Sequence, residues 1–347
     1  MDASLIGFRP YYRNRVLDLL WSQWTAAGVS GHGKEWRGVP LDPEALLLVS
    51  CTIARHDARL FDGMLEWIDL NGRYVSIQRL KKIVASEEFS GEDVLRAVAS
   101  LAKDPASAAK WSGTVDAGGR PAAQAPLFYL KDGHPMPSVK DRDPVFAEHG
   151  LLRDRFEPRG VAATFRPDLA ANLILRLRAL VGVNARCEIL AYLVLNRGGS
   201  PRSLAREAYY FPATVSKAMK DMRDSGYVIS HMEGRRRYHR LVPDSWRELL
   251  RGDAAPGWII WPRLYSGLEL VWNFLWHERR HDDSPLAQAS SLRRLLLKSV
   301  VDRFDSSGLD FTFGDLSAYP GERLLSFFVK RMSALLDLLA RMGRMSA

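Results

Sequence analysis

Between Phe211 and Val242 the chain reads FPATVSKAMKDMRDSGYVISHMEGRRRYHRLV, a short helical pattern followed at once by a small β-ribbon. This juxtaposition constrains the fold more than any other stretch. Val215, Ala218, Met219 and Met222 recur at i, i+3, i+4 and i+7, which predicts one buried stripe on a helix over 212–225. The opposite face then carries Thr214, Ser216, Lys217, Lys220 and Arg223, and Gly226 suits the left-handed turn that ends the helix. Tyr227 to His231 is β-branched and aromatic enough for a strand, Met232 to Arg235 supplies a turn, and Arg237 to Val242 returns. Arg235, Arg236 and Arg237 therefore gather at the tip and outgoing arm, with Tyr238 and Arg240 behind them. A lone two-stranded ribbon is only marginally stable, so it is expected to pack on the preceding helices.

Charge concentrates in the same place. The 347-residue chain has a formal net charge of +9; residues 197–240 hold ten Lys/Arg against four Asp/Glu, which is +6 of that excess. Such focusing predicts a polyanion-binding face. Short hydroxyl side chains reach base edges in a major groove, and flanking cations meet phosphates.

The rest of the chain reads as mainly helical. Leu41 to Arg55, with Asp42 as cap and Pro43 in the first turn, encloses ALLLVSCTIA, apolar nearly all round, and predicts a central core helix. Further helices are predicted over 58–70, 76–84 and, behind a Ser90/Asp93 capping pattern, through Leu101. The turn at Asn71-Gly72 reads either as plain helix packing or as a degenerate second helix-turn-helix. Pro, Gly and Ala accumulate over 104–165, which predicts a loop-rich connector. A helix from Pro167 to Gly182 aligns Leu169, Leu173, Leu177 and Leu180; helices over 184–196 and 201–208 follow. The tail carries helices over 265–277, 285–304 and 320–342, and Trp258, Trp261, Trp272 and Trp276 there form either a core, a subunit interface or a ligand-sensing pocket. The domains are thus expected at 1–103 (helical), 104–165 (connector), 166–250 (helix and ribbon) and 251–347 (helical, for dimerisation or for sensing a ligand or partner).

Several functions are argued against. The two cysteines, Cys51 and Cys187, sit in apolar helical patterns and read as buried thiols in a reducing compartment. No apolar run approaches the roughly 20 residues that span a bilayer, and the amino terminus lacks a secretory pattern, so a cytoplasmic location is expected. His277-Glu278-Arg279-Arg280-His281 matches the HExxH pattern of zinc proteases. Its middle positions are two guanidiniums that would repel a dication, and no third ligand follows. No other catalytic motif stands out, so no enzymatic centre, cofactor or metal is expected.

Asn184 to Val242 resembles a winged helix-turn-helix domain of MarR/ArsR-like bacterial regulators. The matching parts are a scaffold helix (CEILAYLVL), a positioning helix (SPRSLAREA, with Ser203), a recognition helix (PATVSKAMKDMRDSG) and a wing (YVISHMEGRRRYHRLV). The resemblance implies double-stranded DNA as partner, with Thr214, Ser216 and Lys217 on the base-reading side and Arg235 to Arg237 on the wing. The chain as a whole is also similar to a group of long bacterial regulators with helical regions on both sides of the winged helix, which implies a mobile-element or phage-defence setting; a transcriptional repressor that reads half-sites is expected to pair as a homodimer. MarR/ArsR-like regulators are typically much shorter, so their dimer helices and inducer sites do not carry over. The alternative is a winged helix used for protein contact in a defence or toxin–antitoxin system.

Overall fold

The computed structural model describes residues 5–31, 33–101, 105–115, 123–136, 140–196, 198–234, 236–242, 257–277 and 284–344. Caps and apolar patterning account for the first helices. Helix α1 (Leu5–Ala27) buries most of its circumference, Phe8, Tyr12, Leu20 and Trp24 included, and exposes one face at Ile6, Pro10, Asn14 and Asp18. Helix α2 (Pro43–Ile53) begins where the Asp42 carboxylate accepts a hydrogen bond from the Ala45 N–H, and nearly every residue along it is buried. Asp57 caps α3 (Ala58–Asn71) and Ser76 caps α4 (Ile77–Glu87). Asn71 and Gly72 are buried and Asn71 donates to the Ala163 carbonyl, so the turn between these helices lies within the body of the molecule. Helix α5 (Glu92–Ser100) departs from its expected cap: Gly91 occupies the position without a side-chain bond. The Ser90 N–H and hydroxyl donate instead to Glu269, 179 residues away.

The connector contains more regular structure than its composition suggests. Helix α6 (Pro105–Val115) starts at a proline, which a first helical turn tolerates. Strand β1 (Ala125–Pro126) pairs in parallel with β2 (Leu151–Leu152), and α7 (Pro144–Glu148) lies between them in sequence. Beyond β2 the chain is pinned by Glu66, which accepts from the N–H groups of Arg159 and Val161, both at 2.7 Å.

The segment from Pro167 opens with a turn and a 3-10 helix over Ala170–Asn172, so α8 (Leu173–Val181) starts later than its pattern suggests, and Leu180 is exposed rather than aligned with the buried leucines. Then come α9 (Ala185–Asn196), α10 (Pro201–Glu207), α11 (Pro212–Asp224) and an antiparallel hairpin of β3 (Val228–Glu233) and β4 (Arg236–Leu241). The tail forms α12 (Trp261–His277), α13 (Pro285–Leu295), a π-turn over Leu296–Val300, α14 (Val301–Asp305) and α15 (Arg323–Met342).

Two apolar cores result. The larger joins α1–α5 to α12–α15. Trp24 meets Trp67 edge-on at 5.2 Å, Trp36 meets Trp261 at 5.7 Å, and the Tyr12 hydroxyl donates to the Leu268 carbonyl at 2.8 Å. The amino- and carboxy-terminal helices are therefore one body. The smaller core belongs to α8–α11 and the hairpin. Helix α8 serves both: Leu173, Ile174 and Leu177 face the smaller core, Leu175 the larger. Cys51 and Cys187 are free and buried. Among the described residues no helix is long and apolar enough to cross a membrane.

Candidate nucleic-acid interface

Helix α11 divides as its pattern requires. Val215, Ala218, Met219 and Met222 are buried, while Thr214, Ser216, Lys217 and Lys220 are exposed. The helix enters from Phe211 without a side-chain cap, so its first N–H groups stay open at the end that carries the hydroxyls. Gly226 closes it at φ +79°.

Alternation in the hairpin fixes which residues share a face. Val228 pairs with Leu241, both buried; Ser230 pairs with His239, and Met232 with Arg237. The other face holds the pairs Ile229–Arg240 and His231–Tyr238. Arg237 and Arg240, expected together on the arm, thus point to opposite faces. Gly234, at φ +59°, makes the turn. Arg235 lies outside the described residues, and for Arg236 only the backbone pairing with Glu233 is described.

The hairpin is anchored on the helices. Gly199 and His239 exchange both backbone hydrogen bonds at 2.9 Å, which makes β4 the middle of three extended segments. A side chain at Gly198 would meet the His239 carbonyl at 3.1 Å and Arg240 at 3.7 Å, and its φ of +150° suits glycine. His239 is buried and bonded to the Ser230 hydroxyl at 2.8 Å. Burial lowers its pKa, and the charges of Arg237 and Arg223 lower it further, so the end of α11 and the arm of the hairpin bring cations to one place.

Ion pairing decides which charges are available. Asp221 is taken by Arg186 at 2.6 Å, Asp224 by Arg223 at 3.4 Å and Glu207 by Arg206 at 3.1 Å. Lys217, Lys220, Arg237 and Arg240 are exposed and enter no ion pair among the described residues. Ser203 is engaged locally: it is half-buried, and its hydroxyl closes a capping box with Ser200 at the start of α10. Tyr238 is half-buried. One cation comes from the body unannounced by sequence: Lys82 of α4 lies 4.9 Å over the exposed Phe211 ring, at the entry to α11.

A buried charge network holds this unit on the body. Arg178 of α8 donates to Glu44 at 2.6 and 2.8 Å and to Glu188 at 3.0 Å. Arg79 of α4 donates to Asp42 at 2.7 Å, to Glu44 at 2.6 Å and to the Ala208 carbonyl at 2.9 Å. Burial pushes the Glu44 carboxyl up, but Arg178 and Arg79 outweigh it and hold the group well below the usual carboxylate range. Tyr209, which follows Ala208, adopts φ +58° with its hydroxyl donating to Glu87. The turn between α10 and α11 is thereby clamped from outside its own core.

The rival motif is not formed from described residues: His277 ends α12, and Glu278 to His281 lie outside them. Among the described residues no group of three or more His, Cys, Asp or Glu is placed to hold a metal ion. Comparison of the chain with protein-family models, with curated proteins and with solved structures finds no match.

Proposed function

We propose that the chain is a sequence-specific, double-stranded-DNA-binding regulator of transcription, a cytoplasmic protein that pairs with a second copy to read two half-sites and represses its target. In this reading residues 184–242 form a winged helix, α11 enters the major groove, and the hairpin lies on phosphates or in the adjacent minor groove. The observation that carries it is the exposed face of α11, which sets two hydroxyls and two lysines opposite a fully buried stripe. Beside it the hairpin adds Arg237 and Arg240, and none of these four cations enters an ion pair among the described residues. The order of helix, short bridging segment, two helices and hairpin supports the winged-helix assignment, with Gly199 supplying the bridging segment.

The test is selection of genomic fragments on the purified chain, followed by titration of the selected duplex. Thr214→Ala and Ser216→Ala are expected to relax discrimination at the contacted positions by about 1–3 kcal/mol while leaving random duplexes nearly unaffected. Recovery of no enriched fragment and no duplex shift at low salt would overturn the proposal.

A second reading has a specific observation behind it. Tyr227, Ile229 and Met232 on the hairpin are 50%, 39% and 59% exposed, more apolar surface than a phosphate-gripping ribbon needs. A winged helix used to hold another protein would expose such residues. Co-purification of a partner through these side chains, without a duplex shift, favours it.

A further inference from the structure

Between the end of α2 and the last turns of α12 lies a cleft of about 460 Å³, remote in sequence from α11 and within the range of small-molecule sites. Aromatic rings wall it. Trp272 and Trp276 stand one turn apart on α12, and the His56 ring lies 4.8 and 4.6 Å from them. Tyr129 completes the wall, 5.2 Å from Trp276. The turn at Gly133 closes behind: a side chain there would stand 3.1 Å from the Trp276 ring, and φ is +94°.

Ser90, Asn273 and Thr52 give the cleft a polar floor. Asn273 donates to the Ser90 hydroxyl at 3.0 Å, and the Thr52 hydroxyl donates to Glu269 at 3.0 Å. Ser90 N–H reaches the same Glu269 oxygen at 2.6 Å. Glu269 is 2% exposed, and its second carboxyl oxygen, Oε2, has no hydrogen-bond partner among the described residues. The buried Nδ1 of His56 has none either. Neither atom has accessible surface and Glu269 stands behind the wall, so what marks the cleft as a site is its size and its aromatic lining over the polar groups of Ser90, Asn273 and Thr52.

Charge narrows the class. Arg55 lies 5.1 Å over the Tyr129 ring and spends its donors on the carbonyls of Leu127 and Pro126 and on the Tyr129 hydroxyl. Arg13, 5% exposed, donates to the Lys131 carbonyl and the Asn14 side chain. All of these acceptors are neutral, and neither guanidinium enters an ion pair among the described residues. Burial, then Arg13 and Arg55, drive His56 down to about 3, so the imidazole is neutral at pH 7. A ring of aromatics would suit a cation elsewhere; here Arg55 and Arg13 disfavour one, and burial shifts the Glu269 carboxyl behind Ser90 toward its neutral form, so the balance favours an anion.

We propose that this cleft binds a mononucleotide, its planar base against Trp276 and Tyr129, the base edge on Ser90, Asn273 and His56, and its phosphate drawn by Arg55. The site is independent of the DNA-binding reading. The test is calorimetric titration of the full chain with AMP, GMP, CMP and UMP, with adenosine and inorganic phosphate as controls, and ligand-observed NMR of the base protons. At least one monophosphate is expected to bind with a Kd under about 1 mM, and its nucleoside and free phosphate each at least roughly ten-fold more weakly. Trp276→Leu is expected to weaken it about ten-fold or more. The exposed Ser90→Ala, which leaves the rings in place, should shift selectivity among the four bases. The Lys217→Ala/Lys220→Ala variant retains nucleotide binding, which separates this site from the α11 face. No binding of any monophosphate at millimolar concentration, phosphate alone binding as tightly as the nucleotide, or Trp276→Leu binding normally would each overturn the proposal.

Discussion

The junction beneath the helix-and-hairpin unit and the outer face of α11 use the same residue types in opposite states. At the junction Arg79 and Arg178 are each 2% exposed and every carboxylate they meet is buried: Asp42, Glu44 and Glu188. On α11 and the hairpin, Lys217, Lys220, Arg237 and Arg240 are exposed, and no carboxylate among the described residues pairs with them. A buried, fully bonded guanidinium has no field left for a phosphate; an exposed unpaired one has little effect on stability. The difference teaches that the charge of a segment matters for function only after subtraction of what the fold has already consumed.

The comparison is broken most violently at Arg178. Arg178→Met leaves Glu44 and Glu188 buried without their main partner, and removal of one member of a buried pair costs about 3–5 kcal/mol. Urea unfolding should show that loss, and it should persist in high salt because buried pairs are weakly screened. A loss under about 1 kcal/mol would mean the network does not hold the unit to the body.

Glu269 offers a buried carboxyl without a cationic partner among the described residues, the inverse of Glu44. Burial raises it from 4.5 to about 7, against the opposing hydrogen bonds of Ser90 and Thr52. The folded state therefore binds the extra proton between those two values, and stability falls as pH climbs through that window. Glu269→Gln removes the titration. It is expected to be more stable than the native chain at pH 8 by up to about 3 kcal/mol, with the advantage vanishing near pH 4. Parallel pH profiles of melting temperature for the two proteins would expose a mistake here if their difference stayed constant.

Much of the α11 face could be read in the sequence, because its information is local. The stripe Val215, Ala218, Met219 and Met222 repeats within one helix, and Gly226 and Gly234 mark its end and the next turn. The Asp42 cap was likewise visible. What failed was non-local. Ser90 looked like a cap, yet Glu269 captures it. Arg178 carries no signal of burial in its own segment, yet it pairs in the interior with Glu44, 134 residues away. Helix α1 exposes only a narrow face at Ile6, Pro10, Asn14 and Asp18, where an apolar residue and a proline blur the polar period, and α6 hides in a Pro- and Ala-rich stretch. Lys82 beside Phe211 left no signal at all, since nothing in either segment refers to the other. The tryptophans of the tail were conspicuous as composition, but which of them line a cleft depends on His56 and Tyr129 from the other half of the chain.

The smallest expected effect on stability belongs to the face proposed to read DNA. Replacing Lys217, Lys220, Arg237 and Arg240 together by alanine should change the unfolding free energy by no more than about 0.5 kcal/mol per site, as for exposed positions generally. The decisive measurement is fluorescence anisotropy of a labelled duplex against salt concentration for this variant and the native chain. A native log K that falls steeply with log salt, and a variant slope shallower by about 0.9 for each phosphate that is no longer neutralised, is the predicted result. A native slope near zero, or the same slope in both proteins, would contradict the account.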